Sequence, residues 1–254
     1  MKEQISAALV DLARMRGVRV LFAAESGSRA WGFASPDSDW DVRFIYVEPL
    51  DWHLSLRERR DVIEQMLPGD LDLSGWELKK ALKLYAGTNA ALNEWLGSPI
   101  VYRQEGSFAD ELRALLPAFF NPAKAMHHYL SMARGAYESH LQTPQVSLKK
   151  FFYFLRAVLA CRFIERHRSQ PPTAFADLMA GLDLGPALLA DIEELKRYKS
   201  AIGERERHLL PLPWQEWMRA ELERYALVRP TLGGAQGADL AALESLYRRH
   251  VRAC

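Results

Sequence analysis

The hydrophobic period changes once along this chain, and no other feature limits the fold as much. Up to residue 105 helical and strand patterns alternate, and beyond it only helical patterns occur. Ile5, Leu9, Leu12 and Met15 recur at helical spacing over residues 3–16 and stop at Gly17. Val18 to Ala24 reads as a strand that runs into Gly27-Ser28, and Trp40 to Val47 reads as a second strand after a Pro-Asp-Ser-Asp turn. Leu54 to Met66 reads as a helix broken by Pro68-Gly69, Leu71-Asp72-Leu73 as a short third strand, Glu77 to Tyr85 as a helix, and Pro99 to Arg103 as a short strand. Then come helical patterns at 108–119, 123–140, 147–168, 186–200 and 214–227, punctuated by Pro117, Pro122, Pro144, Pro171-Pro172 and Pro211. The expectation is an α+β chain. A small mixed-sheet domain covers 1–105 and an all-α domain covers 106–230; 231–254 hold a Gly-rich linker over 231–237 and a terminal helix or tail carrying Leu240, Leu243, Leu246 and Val251.

A chain of 254 residues, 49% hydrophobic and 26% charged, has the length and composition for buried cores rather than disorder. Lys plus Arg at 33 against Asp plus Glu at 32 leaves a formal charge of +1, so the surface as a whole is not committed to nucleic acid, although a local basic patch fits. Two cysteines, Cys161 and Cys254, exclude a disulfide scaffold and a cysteine-rich zinc site. Met1 to Val10 is charged and lacks the apolar core of a signal peptide, and no apolar run approaches the roughly 18 to 20 residues that span a bilayer. These readings predict a cytoplasmic protein without membrane partners.

Chemistry concentrates between Gly27 and Val42. In a strand, residues i and i+2 share a face, so Asp39 and Asp41 point together while Trp40, Val42 and Phe44 face a core. Two close carboxylates repel each other, and a divalent cation offsets that repulsion. Magnesium takes carboxylate and phosphate oxygens together, which suits it to bridge an enzyme and a triphosphate. A two-metal site needs a third carboxylate, which can also accept the acceptor's proton. Asp72 between Leu71 and Leu73 is the candidate, and Asp70, of the same parity, is its rival. Gly27 lets the backbone approach a phosphate, and Ser28 adds a hydroxyl and an N–H. Each motif alone is common. The order is not: strand, Gly-Ser, a ten-residue spacer, Asp-x-Asp opening a strand, then apolar-Asp-apolar.

That order resembles the DNA polymerase β-type nucleotidyltransferase superfamily. Within it the chain resembles the RlaP group, nucleotidyltransferases proposed to act in RNA repair. The likeness rests on Gly27 to Gly32, Ser38 to Arg43, Asp72 to Leu78, Asn93 to Leu96 and Leu148 to Tyr153. It implies a short mixed sheet with helices packed on it and two magnesium ions on Asp39, Asp41 and Asp72. It also implies attack of an acceptor on the α-phosphate of a nucleoside triphosphate with loss of pyrophosphate. Related enzymes close the cleft with a helix of the second domain that sets Lys and Tyr on the triphosphate. Lys149, Lys150, Tyr153 and Arg156 are the matching candidates, beside Gly27, Ser28 and Arg29. The bland alternative for that helix is a solvated polar stripe.

Other residues divide between function and packing. Arg43 lies on the face of the acidic pair and balances it. Of Trp31, Trp40, Trp76 and Trp95, one at most is expected to stack a base, because Trp is mostly core. His127, His128 and His140 lack metal-ligand spacing. Arg162 to His167 resembles the RNase motif of HEPN domains, but Phe163 stands where that motif has a polar residue. The acceptor is left open among RNA ends, protein hydroxyls and small molecules. Two rival functions are a non-catalytic nucleotide or RNA binding module and a protein-AMPylating toxin–antitoxin component.

Overall fold

The computed structural model describes residues 1–201, 203, 206–228 and 238–253. In chain order the elements are α1 (Lys2–Arg16), β1 (Arg19–Glu25), α2 (Gly27–Trp31), β2 (Trp40–Val47), α3 (Leu50–Leu54), β3 (Val62–Leu67), β4 (Leu71–Glu77), α4 (Leu78–Ala86), α5 (Ala90–Leu96), β5 (Val101–Gln104) and α6 (Phe108–Phe119). They continue with α7 (Pro122–His140), β6 (Gln145–Ser147), α8 (Leu148–His167), α9 (Phe175–Ala180), α10 (Pro186–Ala201), β7 (Arg207–Leu209), α11 (Leu212–Val228) and α12 (Ala241–Arg252). No helix among the described residues is long and apolar enough to cross a membrane. The expected linker over 231–237 lies outside the described residues.

Two compact units divide the chain. The first takes Met1–Ala30, Asp39–Phe119 and Gln236–Cys254, and the second takes Trp31–Ser38 and Phe120–Ala235. Where the sequence suggested a cut at 105, contacts assign α6 and α12 to the first unit.

The first unit is a five-stranded mixed sheet in the order β3-β4-β2-β1-β5. β2 and β4 run parallel, and the other neighbours are antiparallel. Side-chain alternation divides its core in two. Val42, Phe44 and Tyr46 of β2, with Leu71 and Leu73 of β4, meet Ile5, Leu9 and Leu12 of α1. Ile45 and Val47 point the other way, to a cluster built from α4, α5, α6 and α12. Gly75 is required by this packing, because a Cβ there would sit 2.1 Å from the Phe44 ring. The amphipathic tail is an element of this core: Leu243, Leu246 and Val251 of α12 are buried in it.

The expected helix over Leu54 to Met66 is not formed. α3 ends at Leu54, and Val62–Leu67 is an edge strand antiparallel to β4. Arg57, Glu58, Arg59 and Arg60 give that stretch no apolar face to bury as a helix, while β-branched Val62 and Ile63 suit a strand. The reversal at 68–70 is closed by Gly69 and Asp70, both in the left-handed region (φ 83° and 53°).

In the second unit, α8 is the central helix, with Phe151, Phe152, Phe154, Leu155 and Leu159 all fully buried. The loop 31–38 belongs to this unit, although it links two motifs of the first. Phe33 lies against Phe152 and Phe175, and the buried ammonium of Lys199 donates to the Phe33 carbonyl (2.6 Å) and the Ser35 hydroxyl (2.9 Å). The reading of this half as helical throughout needs one correction: β6 and β7 pair as a short antiparallel ribbon. With three residues per strand and Val146 alone buried, the ribbon has no period to detect.

Candidate functional site

The parallel register of β2 and β4 sets Asp41 directly beside Asp72. Asp70, the rival third carboxylate, is an exposed turn residue whose carbonyl accepts the Trp40 N–H (2.8 Å). Because Val42 and Leu73 face α1, Asp41, Arg43 and Asp72 occupy the opposite face near one end of the sheet. Arg43 joins the two acids. Its Nη2 lies 2.9 Å from Asp41 Oδ1 and 2.8 Å from Asp72 Oδ2, and its Nη1 donates to the carbonyls of Val42 (3.2 Å) and Asp72 (3.3 Å).

The Gly-Ser turn lies directly over Asp41. Gly27 has φ 61°, and a Cβ at this position would sit 2.4 Å from Asp41 Oδ2. Glycine is needed there twice, for its backbone angle and for the space it leaves. Ser28 is buried, and the Ser26 N–H donates to the Asp41 carbonyl (2.8 Å).

Glu25 is a site residue that sequence reasoning missed. It is fully buried, and its Oε1 accepts the Asp41 N–H (2.8 Å) while its Oε2 accepts the Tyr102 hydroxyl. Ser98 Oγ donates to the Glu25 carbonyl (2.7 Å) and fixes the same strand end. Burial raises the Glu25 pKa, and the bonds from Tyr102 and Asp41 pull it back. The available signal was an acid closing an otherwise apolar strand, Arg19–Glu25, just before the Gly-Ser turn.

Asp39 stands exposed one residue before β2. Its carbonyl accepts Arg29 Nε (2.9 Å), and the Arg29 guanidinium lies 3.8 Å over the Trp40 ring. Arg29 therefore ties the Gly-Ser segment to the start of β2. Among the described residues no group of three or more His, Cys, Asp or Glu stands where it could hold a metal ion.

The other candidates lie in the second unit. Lys149, Lys150 and Tyr153 are half-buried along the first turns of α8. Tyr153 meets Trp31 edge-on (4.7 Å between centroids), and Lys150 Nζ is 6.0 Å from the Tyr153 ring. Arg156 is 2% exposed; it lies 4.6 Å over Trp31 and donates to the carbonyls of Pro172 (3.4 Å) and Thr173 (3.2 Å). This binds the guanidinium into the interior of the helical unit. Trp31 is thus a core residue, as is Trp95, which packs on Trp76 at 4.1 Å. Arg162 and His167 diverge: Arg162 makes a two-pronged ion pair with Glu221 (2.7 and 3.1 Å), while the His167 ring lies on Phe163 and bonds the Gly181 carbonyl (2.7 Å). They form no joint site.

With this geometry in place, the comparisons decide the family. The family model described as RlaP, RNA repair pathway DNA polymerase beta family, matches residues 1–249. The chain belongs to the RlaP family. Membership places it with nucleotidyltransferase-type proteins, whose substrates are nucleoside triphosphates. A Bacillus subtilis (strain 168) relative, described as the uncharacterized protein YcgL, is 46% identical over 199 residues, 78% of this chain and 76% of the relative. A nucleotidyltransferase-like protein from Exiguobacterium sibiricum 255-15 aligns over 100% of this chain and 80% of its own, with 9% identity and a TM-score of 0.33, a likeness too distant to carry an argument.

Proposed function

We propose that this RlaP-family chain transfers a nucleoside monophosphate from a triphosphate to an acceptor hydroxyl, an RNA end among the candidates, with magnesium held by Asp39, Asp41 and Asp72. The observation that carries this reading is the in-register pair Asp41–Asp72 beneath the side-chain-free surface of Gly27. Two of the three carboxylates, Asp41 and Asp72, lie side by side on adjacent strands, and their hard oxygens suit a divalent cation; Asp39, one residue before β2, would have to join them. When bound, the ions would neutralise charge on the triphosphate and on the departing pyrophosphate.

The chain's own residues supply the rest. Gly27 and Ser28 offer backbone N–H groups and a hydroxyl to the β- and γ-phosphates. Glu25, by holding the Asp41 amide, fixes the strand start so that the carboxylate keeps its direction. Asp72 accepts the acceptor's proton as the acceptor oxygen bonds to the α-phosphorus. The bond from that phosphorus to the bridging oxygen then breaks, and pyrophosphate leaves with its electron pair. Lys149, Lys150 and Tyr153 are the second unit's candidates for the triphosphate, whereas Arg156 is held inside that unit over Trp31 and serves its packing.

The test is incubation with labelled nucleoside triphosphates, magnesium and a panel of RNAs. Nucleotide-dependent labelling that disappears in Asp39→Ala plus Asp41→Ala is the expected result, and labelling that survives overturns the assignment. The binding-module reading has one observation in its favour, since Arg43 already neutralises two of the acids. Magnesium-dependent triphosphate binding without pyrophosphate release, across all acceptors, would select it.

A further inference from the structure

We infer that Arg43 is a built-in counter-cation that occupies the carboxylates in the metal-free protein and must leave them for a divalent cation to bind. This rests on the nucleotidyltransferase reading above and adds an order of events to it. The argument begins with the strand register, which forces Asp41 and Asp72 side by side whether or not a cation is present. Two carboxylates so placed repel each other, and the repulsion grows as water is excluded. The sequence supplies its own remedy two residues along β2, on the same face.

Arg43 Nη2 bridges Asp41 Oδ1 and Asp72 Oδ2 at 2.9 and 2.8 Å. A cation shared by these two carboxylates would need the same oxygens at roughly 2.0 to 2.1 Å if it were magnesium. A guanidinium nitrogen already within hydrogen-bond distance of both leaves no room for it, and two positive charges do not share that position. The anchors that hold Arg43 are weak by comparison. Its Nη1 contacts to the Val42 and Asp72 carbonyls are 3.2 and 3.3 Å, near the long limit for a hydrogen bond. An arginine in this arrangement is a competitor of the metal, and once displaced it is a free cation beside the triphosphate.

The sign of one measurement separates this from a scaffold role. A scaffold arginine aligns the carboxylates, so its removal weakens metal binding. A competitor's removal strengthens it. Mn2+ binding is therefore titrated calorimetrically, without nucleotide, on the full chain and on Arg43→Gln, Arg43→Lys and Asp41→Asn. The expected result is at least about fivefold tighter Mn2+ binding in Arg43→Gln, a gain of roughly 1 kcal/mol. A lower unfolding midpoint without metal, and a larger upward shift on adding Mn2+ than the parent shows, should accompany it. Arg43→Lys, which keeps the charge but loses the Nη1 anchors to the Val42 and Asp72 carbonyls, should fall between them and serves if Arg43→Gln does not fold.

Equal or weaker Mn2+ binding in Arg43→Gln overturns the inference, as does parent-like or weaker binding in Arg43→Lys if that variant stands alone. Asp41→Asn separates the two levels. If Asp41→Asn loses Mn2+ while the Arg43 variants gain nothing, the metal site stands and the competitor role fails. If Asp41→Asn binds as the parent does, the metal-site reading fails and the competitor role falls with it.

Discussion

Two fully buried glutamates lie at opposite ends of the same sheet, and they are treated differently. Glu25 ends β1 and is satisfied at both oxygens, by the Asp41 amide and the Tyr102 hydroxyl. Glu77 ends β4, five residues beyond Asp72; its Oε2 caps α4 by accepting the Lys79 N–H (2.7 Å), but its Oε1 has no hydrogen-bond partner among the described residues. His53 Nε2 is 3.8 Å from that oxygen, close enough for an ion pair if both groups are charged. Burial argues against that state, since it lowers the His53 pKa and raises Glu77 to about 7. At 3.8 Å the two groups are too far apart for a hydrogen bond that would offset their lost hydration, so the contact contributes little stability. A buried acid with two partners can position a neighbouring carboxylate. One with an oxygen left unbonded is a local destabilisation that depends on pH.

The sharpest break in this comparison is to remove what Glu25 positions. Asp41→Asn should lower nucleotidyl transfer by about a thousandfold or more while the protein stays folded, checked by labelled-nucleotide transfer beside thermal unfolding. Gly27→Ala comes next. A left-handed backbone and a Cβ within 2.4 Å of Asp41 Oδ2 should cost on the order of 2 kcal/mol of stability and about a hundredfold in transfer. Glu25→Ala leaves the Asp41 amide and the Tyr102 hydroxyl without their acceptor, so denaturant unfolding should show a loss of about 2 kcal/mol, with weaker transfer alongside.

Glu77→Gln sharpens the contrast from the other end. Because the folded pKa lies above the ordinary 4.5, the protonated acid's contribution is complete below pH 4.5 and is lost as pH rises to about 7 and beyond. The substitution should therefore remove a downward slope of stability between pH 4.5 and 7, with a gain on the order of 1–2 kcal/mol at pH 8. Unfolding midpoints measured from pH 4 to 9 check it. His53, whose lowered pKa gives the opposite slope, is left in place as an internal control. The smallest effect is expected at Lys149→Ala plus Lys150→Ala, with KM for the triphosphate rising roughly fivefold and kcat little changed.

Much of the first unit was legible because its strands obey period two. Val42 and Phe44 facing a core, and Asp41 facing away from it, follow from alternation alone, and the structure bears this out. β3 was misread because its flanking basic run, Arg57 to Arg60, blurred a short edge strand into a helical pattern. Glu25 escaped notice because an isolated acid at a strand end carries no spacing signal. Its importance comes from a backbone amide sixteen positions away.

By itself the sequence determined the change from mixed to helical pattern, the order of the motifs and the facing of Asp41, since all three are local properties of spacing and side-chain parity. Tertiary structure decided the rest. Strand register placed Asp72 rather than Asp70 beside Asp41, pairing left Arg43 between them, and burial held Arg156 inside the helical unit. Register, pairing and burial depend on residues far apart in the chain, and a local pattern does not encode which of them will meet.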